Sequence, residues 1–206
     1  GDIYSAYWNP AGLASLSNGA VGFMHNSFPE KISQDFIALG LPLKSNNQVL
    51  GFSLNFGRYG DEFITVYPEF NNNNPITNQK FDGTDLTAIL SYAFKHSSKL
   101  FVGFNCKYIS QDIYNYNSRT AALDAGIIYK INDYFNLGAG LYNLGAKSKL
   151  NAQSEDIPSK IKAGISAKLL ENIATLHCDI SYIKNENTEY CAGVEIRPVR
   201  QFSLRG

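Results

Sequence analysis

The chain has 206 residues with 18 Lys+Arg against 18 Asp+Glu, so there is no net field to draw nucleic acid and no acidic tail. It carries 13 Tyr, 13 Phe and 17 Gly beside one Met and one Trp, and charged residues at 17% fall below the roughly 25% of ordinary soluble domains. No apolar run approaches the ~18 residues of a transmembrane helix, but a barrel strand needs only about ten alternating residues, and the mean hydropathy of -0.20 suits that alternation.

The first element is the stretch Tyr7–Leu13, YWNPAGL. Asn9-Pro10 followed by Ala11-Gly12 signals a turn, since a residue before Pro avoids the αR region and Gly tolerates positive φ. A tight, non-strand element is therefore expected ahead of the first hairpin. Beyond it the period is two rather than 3.6. Strand-like segments lie near 20–28, 34–43, 49–58, 85–94, 100–111, 119–130, 135–145, 159–169, 174–183, 189–198 and 202–206. In 100–108, for example, Leu100, Val102, Phe104, Cys106 and Tyr108 share one face and Gly103, Asn105 and Lys107 the other. Strands so regular and so closely spaced leave no room for helices. The fold expected is all-β: an antiparallel up-and-down transmembrane β-barrel, present as an incomplete fragment of about eleven strands. Residues 1–17 form a periplasmic or lumenal lead-in and 18–206 the barrel strands of a single domain.

The links sharpen this expectation. Those around 44–48, 96–99, 131–134, 170–173 and 199–201 are short. The alternate links are longer and more polar, above all 59–84 and 146–158. Short turns at one end and long loops at the other is the asymmetry of outer-membrane barrels, whose long loops are extracellular. Facing Leu43 with Leu50, Phe94 with Leu100 and Tyr182 with Tyr190 keeps the apolar rows on one side of each hairpin.

The other face reads as a lumen. With Tyr182 opposite Tyr190, His177 falls opposite Glu195 and Thr175 opposite Arg197; a nearby register for the preceding hairpin sets Lys162 beside Asp179, and a similar one lets Lys107 reach Asp124. Opposite charges across strands contribute about 0.2–1 kcal/mol each; here they are expected to fill space and satisfy one another rather than perform chemistry. Gly138, Gly140, Gly164 and Gly193 on lumenal rows permit close approach of other groups or simply relieve packing. Cys106, Cys178 and Cys191 lack the close pairs of metal sites, and the spacing offers neither a disulfide framework nor a bound cofactor. Catalysis is not expected: His25, His96 and His177 are scattered, and His177, Asp179 and Ser181 on one strand face lie roughly 7 Å apart, too far to orient one another as a triad.

The stretch from Ser5 to Ala14, SAYWNPAGLA, resembles the start of the PorV/PorQ family, FadL-like outer-membrane barrels of Bacteroidota and related phyla. Similar stretches follow in order: Val102–Gln111, Ala121–Lys130, Leu137–Leu150, Ile157–Leu169 and Gly193–Gly206. The motif residues are Trp8, Asn9, Pro10, Ala11, Gly12 and Leu13. The resemblance implies a fourteen-strand barrel with about three strands beyond Gly206. It also implies a non-enzymatic role in type IX-like protein secretion or surface attachment, with outer-membrane lipid, secretion-system proteins and secreted cargo as partners. Phe63, Tyr67, Phe70, Asn72 and Phe81 would then form an extracellular contact loop. The second function considered is FadL-like passive transport of a hydrophobic small molecule across the outer membrane.

Overall fold

A computed structural model of the protein describes residues 2–29, 31–43, 47–66, 76–113, 116–145, 147–150, 153–170, 173–184, 186–199 and 202–206. For 61–66, 76–81, 116, 147–150, 153–156 and 205 it describes the backbone alone. Among the described residues a short α-helix, Ser5–Trp8, and a 3-10 helix, Pro10–Ser15, precede thirteen strands. These are β1 (Ala20–Ser27), β2 (Ser33–Pro42), β3 (Gln48–Val66), β4 (Ile76–Lys95), β5 (Leu100–Ile113), β6 (Tyr116–Lys130), β7 (Phe135–Leu144), β8 (Lys147–Leu150), β9 (Gln153–Asp156), β10 (Lys160–Leu169), β11 (Ala174–Ile183), β12 (Glu189–Val199) and β13 (Phe202–Arg205). Eleven of them form one antiparallel sheet in the order β1 to β7 and then β10 to β13, while β8 and β9 pair separately as a hairpin between β7 and β10. Among the described residues β1 and β13 are the two free edges of that sheet.

The two faces are chemically opposite because the side-chain period is two. Outward stand Val21, Ile37, Phe52, Leu90, Phe104, Leu123, Ile165 and Ile180, with Leu90 60% exposed. Inward stand Ser53, Ser91, Asn105 and Asp124, each at most 2% exposed. This inverts a soluble protein, in which large apolar side chains are covered and charges are in water. Along β5 the outward apolar run from Leu100 to Tyr108 spans roughly 27 Å of strand, and at the usual strand tilt it matches the height of the apolar band on outer-membrane barrels.

The sheet wraps around the N-terminal segment. Tyr4 donates to the Phe23 carbonyl on β1, Phe36 of β2 meets Tyr7 with ring centroids 5.9 Å apart, and Leu13 lies against Gly51 of β3. The backbone at Pro10–Ala11 sits on Gly103 of β5 and Asn9 on Gly126 of β6. Tyr142 of β7 donates to the Trp8 carbonyl, and the Lys162 ammonium of β10 lies 5.5 Å from the Trp8 ring centroid. Laid flat, strands β1 to β10 of the sheet would be spread over roughly 34 Å. The two short helices together are about 18 Å long, so only a curled sheet presents all these strands to them. The core lies between: Ile3, Ala6, Ala11, Leu13 and Ala14 of the segment pack on Phe36, Ala38, Val49, Ala93 and Phe101.

Three expectations are corrected. First, the hairpin registers differ by two residues: Leu41, not Leu43, faces Leu50, Phe94 faces Val102, and Tyr190 faces Ile180. A two-residue slip keeps every side chain on its face, so face alternation cannot detect it; the turn decides. At the second turn the Ser97 hydroxyl accepts from the Leu100 N–H at 3.0 Å and the Lys99 N–H at 3.3 Å, which moves the centre of the turn to Ser98 and pairs Lys95 with Phe101. Second, His177 consequently faces Gly193 and Thr175 faces Glu195, so neither the His177–Glu195 nor the Thr175–Arg197 pairing forms. Third, the long loop expected over 59–84 is largely strand: β3 continues to Val66 and β4 starts at Ile76, with Tyr59 on Gly83 and Phe63 on Lys80. At the same end β5 continues to Ile113 and β6 starts at Tyr116. The length asymmetry of the two ends is thus carried partly by strands that run past the apolar band.

Gly103 and Gly126 are inward positions where the N-terminal segment lies in van der Waals contact, by its backbone at Gly103 and by the Asn9 and Pro10 side chains at Gly126. A Cβ on Gly103 would collide with the Pro10 carbonyl and the Ala11 nitrogen, and one on Gly126 with the Asn9 side-chain oxygen. Gly103→Val is therefore expected to displace residues 2–16 at a cost of about 1–3 kcal/mol. The readout is faster proteolytic clipping of the N-terminal segment in the folded protein, and clipping at the wild-type rate would show that the segment does not rest on Gly103.

Candidate functional site

The NPAGL stretch is held by hydrogen bonds that its own sequence prescribes. Asn9 is extended, with φ -159° and ψ 107°, and caps the 3-10 helix while Pro10 opens it; Pro has no N–H to leave unpaired there. The Asn9 side-chain oxygen accepts from the Ala11 N–H at 3.1 Å. Its amide nitrogen donates to the carbonyls of Ile127 at 3.2 Å and Ala139 at 3.4 Å, reaching both β6 and β7. Pro10, Ala11, Gly12 and Leu13 are buried, whereas Trp8 is 59% exposed.

A buried polar cluster lies under this segment. Lys107 Nζ is 2.8 Å from Asp124 Oδ2, a diagonal contact between β5 and β6, since Asn105 is the residue directly opposite Asp124. Asn105 donates from Nδ2 to Asp124 Oδ2 at 3.0 Å and to the Ala6 carbonyl at 3.0 Å. Ser91 donates to Asn105 Oδ1 at 2.7 Å. The other Asp124 oxygen accepts from the Asn143 N–H at 3.0 Å, and Lys107 also donates to Asn143 Oδ1 at 3.1 Å. Asn143 has φ 57°, a left-handed conformation that Asn tolerates better than most residues, and it sits where the β6–β7 register shifts between Leu123 and Ala125. The bulge turns the Asn143 N–H toward Asp124, so the buried carboxylate is met by two side chains and a backbone donor. Sequence reading pointed to Lys107 and Asp124 but not to Ser91, Asn105 or Asn143. Ser91 and Asn105 carried a readable signal, being polar residues on the non-apolar parity of their strands. Asn143 carried none, because a bulge moves residues off that parity.

Beside the segment lies a cavity of about 450 Å³ bordered by Trp8, Ile128, Asn136, Tyr142, Lys162 and His177 among others. Lys162 Nζ is 3.1 Å from Asp179 Oδ2, and Asp179 stands directly opposite Gly164, whose missing side chain leaves it room. Asn136 Nδ2 donates to Ser166 Oγ at 3.3 Å. Glu195 and Arg197 pair along β12, Oε1 to Nη2 at 2.6 Å, away from this cavity. Of the expected contact-loop residues, Phe63 lies on β3 and Phe81 on β4, where the backbone alone is described, and Tyr67, Phe70 and Asn72 lie outside the described residues. Among the described residues no three His, Cys, Asp or Glu side chains converge as a metal site would require.

No family model and no curated protein matches the chain. Its fold does match solved structures. CymD, a monoaromatic hydrocarbon channel, aligns with TM-score 0.65 at 11% identity over 95% of this chain and 75% of its own. OmpT, an outer-membrane protein of Vibrio cholerae, aligns with TM-score 0.57 at 14% identity over 88% of this chain and 53% of its own. A loop L8 deletion mutant of OmpT aligns with TM-score 0.60 at 15% identity over 87% of this chain and 59% of its own. The chain thus spans about half the length of OmpT. At such identities the likeness concerns the fold alone: eleven antiparallel strands in one sheet, arranged as in outer-membrane β-barrels.

Asp124→Ala leaves Lys107 and the Asn143 N–H without their buried partner, and a loss of about 3–5 kcal/mol is expected. The double variant Lys107→Met/Asp124→Leu, which removes both charges, should recover most of that loss. Denaturant unfolding of both variants checks this; equal losses would mean that the charge pair is not what holds the site.

Proposed function

We propose that this chain forms wall and plug of an outer-membrane barrel through which small, largely apolar molecules pass, the long-strand end facing the outside of the cell. The observation that carries the reading is the cavity between the N-terminal segment and the inner face of β7, β10 and β11. Its volume of about 450 Å³ falls in the range of small-molecule sites, roughly 300–1,000 Å³. Trp8, Tyr142 and Ile128 provide apolar surface while Asn136, Ser166 and Lys162 provide a few polar groups. The outward face supports the membrane setting, since an apolar surface of this extent is stable against acyl chains and not in water. The fold shared with a hydrocarbon channel agrees with passage.

The secretion role implied by the family resemblance has less behind it. It depends on surface loops meeting proteins, and the residues expected to make those contacts have no described side chains. The passage reading uses a cavity whose lining is described.

Two measurements test the proposal. Leu90→Arg, placed mid-strand on the outward face, should lower the stability of the protein folded into lipid vesicles by about 2–4 kcal/mol, read as a shifted urea midpoint; an unchanged midpoint would remove the lipid-facing assignment. Vesicles with a lipopolysaccharide outer leaflet that carry the protein should take up a monoaromatic hydrocarbon several-fold faster than protein-free vesicles. Equal rates would overturn the passage reading.

A further inference from the structure

We propose that the cavity beside the N-terminal segment is a binding site for a compact organic anion, with its apolar body against Trp8 and Ile128 and its charge between Lys130 and Lys168. The proposal rests on the passage reading and narrows its substrate class. Three lysines border the cavity, Lys130, Lys162 and Lys168, together with Asp133, Asp179 and His177. They are not equivalent. Lys162 is neutralised by Asp179 at 3.1 Å. Lys130 Nζ lies 4.6 Å from the Phe101 ring centroid, and among the described residues neither Lys130 nor Lys168 makes an ion pair, Asp133 included.

The ladder places these two lysines on one inner face, with the Lys130 ammonium resting over Phe101 of β5. Lys130 of β6 faces Asn136 of β7, Asn136 faces Ser166 of β10, and Lys168 follows Ser166 by two residues on the same face. From the spacings between and along strands, Lys130 and Lys168 are roughly 12 Å apart at Cα, a gap that two extended lysine side chains close onto a single carboxylate once Lys130 swings off the Phe101 ring. Between them Ser166 accepts from Asn136 at 3.3 Å, which leaves the Ser166 hydroxyl proton free to donate. Two like charges on one concave wall raise the local potential and favour a counter-ion there. The Trp8 ring, 59% exposed, and Ile128 give the same cavity an apolar side. A site with two cations, a hydroxyl donor and an aromatic face fits an organic anion better than a neutral hydrocarbon.

Trp8 is the one tryptophan of the sequence, so its fluorescence reports on this cavity. The protein folded in detergent micelles is titrated with 4-bromobenzoate and with its neutral counterpart 4-bromobenzyl alcohol, both heavy-atom quenchers. The expected result is saturable quenching with at least tenfold tighter binding of the anion, a preference that weakens as salt screens the lysines. Lys130→Gln/Lys168→Gln should bring the anion's affinity down to that of the alcohol, while Lys130→Arg/Lys168→Arg keeps the preference and shows that folding is intact. Equal affinities in the native protein, a preference that survives the glutamine pair, or quenching that persists in Trp8→Phe would each overturn the site. Vesicle uptake measured in parallel separates the two proposals. Uptake of hydrocarbon without anion preference overturns the anion site and leaves passage standing; anion-selective quenching without uptake of any solute overturns passage and leaves the site.

Discussion

The contact of the N-terminal segment with two glycines organises this molecule. Residues Asn9 to Ala11 lie directly on Gly103 and Gly126, and no side chain larger than hydrogen fits between. That approach brings the Asn9 amide within reach of the Ile127 and Ala139 carbonyls and sets Leu13 and Ala14 into the inner apolar cluster. The sheet curls because so many of its strands must reach so short a segment. Without the segment, the apolar inner residues Phe36, Val49 and Phe101 would face an open concave surface.

The polar cluster beneath the segment answers a second requirement of an inverted protein. A charge on the inner face, away from bulk water, has to be paired and hydrogen-bonded or it is costly. Asp124 meets this with Lys107, Asn105 and the Asn143 N–H, and Asn105 spends its remaining donor on the Ala6 carbonyl. One amide therefore ties the ion pair to the N-terminal segment, so that the electrostatics of the sheet and the position of the segment are coupled through Asn105. Toward the short-turn end the pattern changes. Lys162 is satisfied by Asp179 while Lys130 and Lys168 are not matched by carboxylates among the described residues, and the cavity lies there.

Much of the architecture was legible in the chain. The alternation of large apolar residues with Gly, Ser, Asn and Lys identified the eleven strands of the main sheet and assigned their regularly alternating residues to a face. The closeness of Lys107 to Asp124 and of Lys162 to Asp179 was also readable, because diagonal neighbours tolerate a small error in register. The His177–Glu195 pairing was not, because a direct cross-strand partner is lost on a slip of two residues. The extension of β3 and β4 was hidden for a different reason. Residues 59–84 are polar and alternate poorly, so the period-two signal is lost there although the ladder continues to Val66 on β3 and from Ile76 on β4.

By itself, then, the sequence determined the fold class, the eleven strands of the main sheet and its two-faced chemistry, since these follow from local period and from short turns that force antiparallel neighbours; it did not disclose the β8–β9 hairpin. Tertiary structure alone decided the hairpin registers, the seating of NPAGL on Gly103 and Gly126, the bulge that aims Asn143 at Asp124, and the cavity beside Trp8. Each of these joins residues tens to more than a hundred positions apart, or depends on a single hydroxyl such as that of Ser97 to centre a turn. A period of two places a side chain on a face, but only the closed set of backbone and side-chain hydrogen bonds says what it meets there.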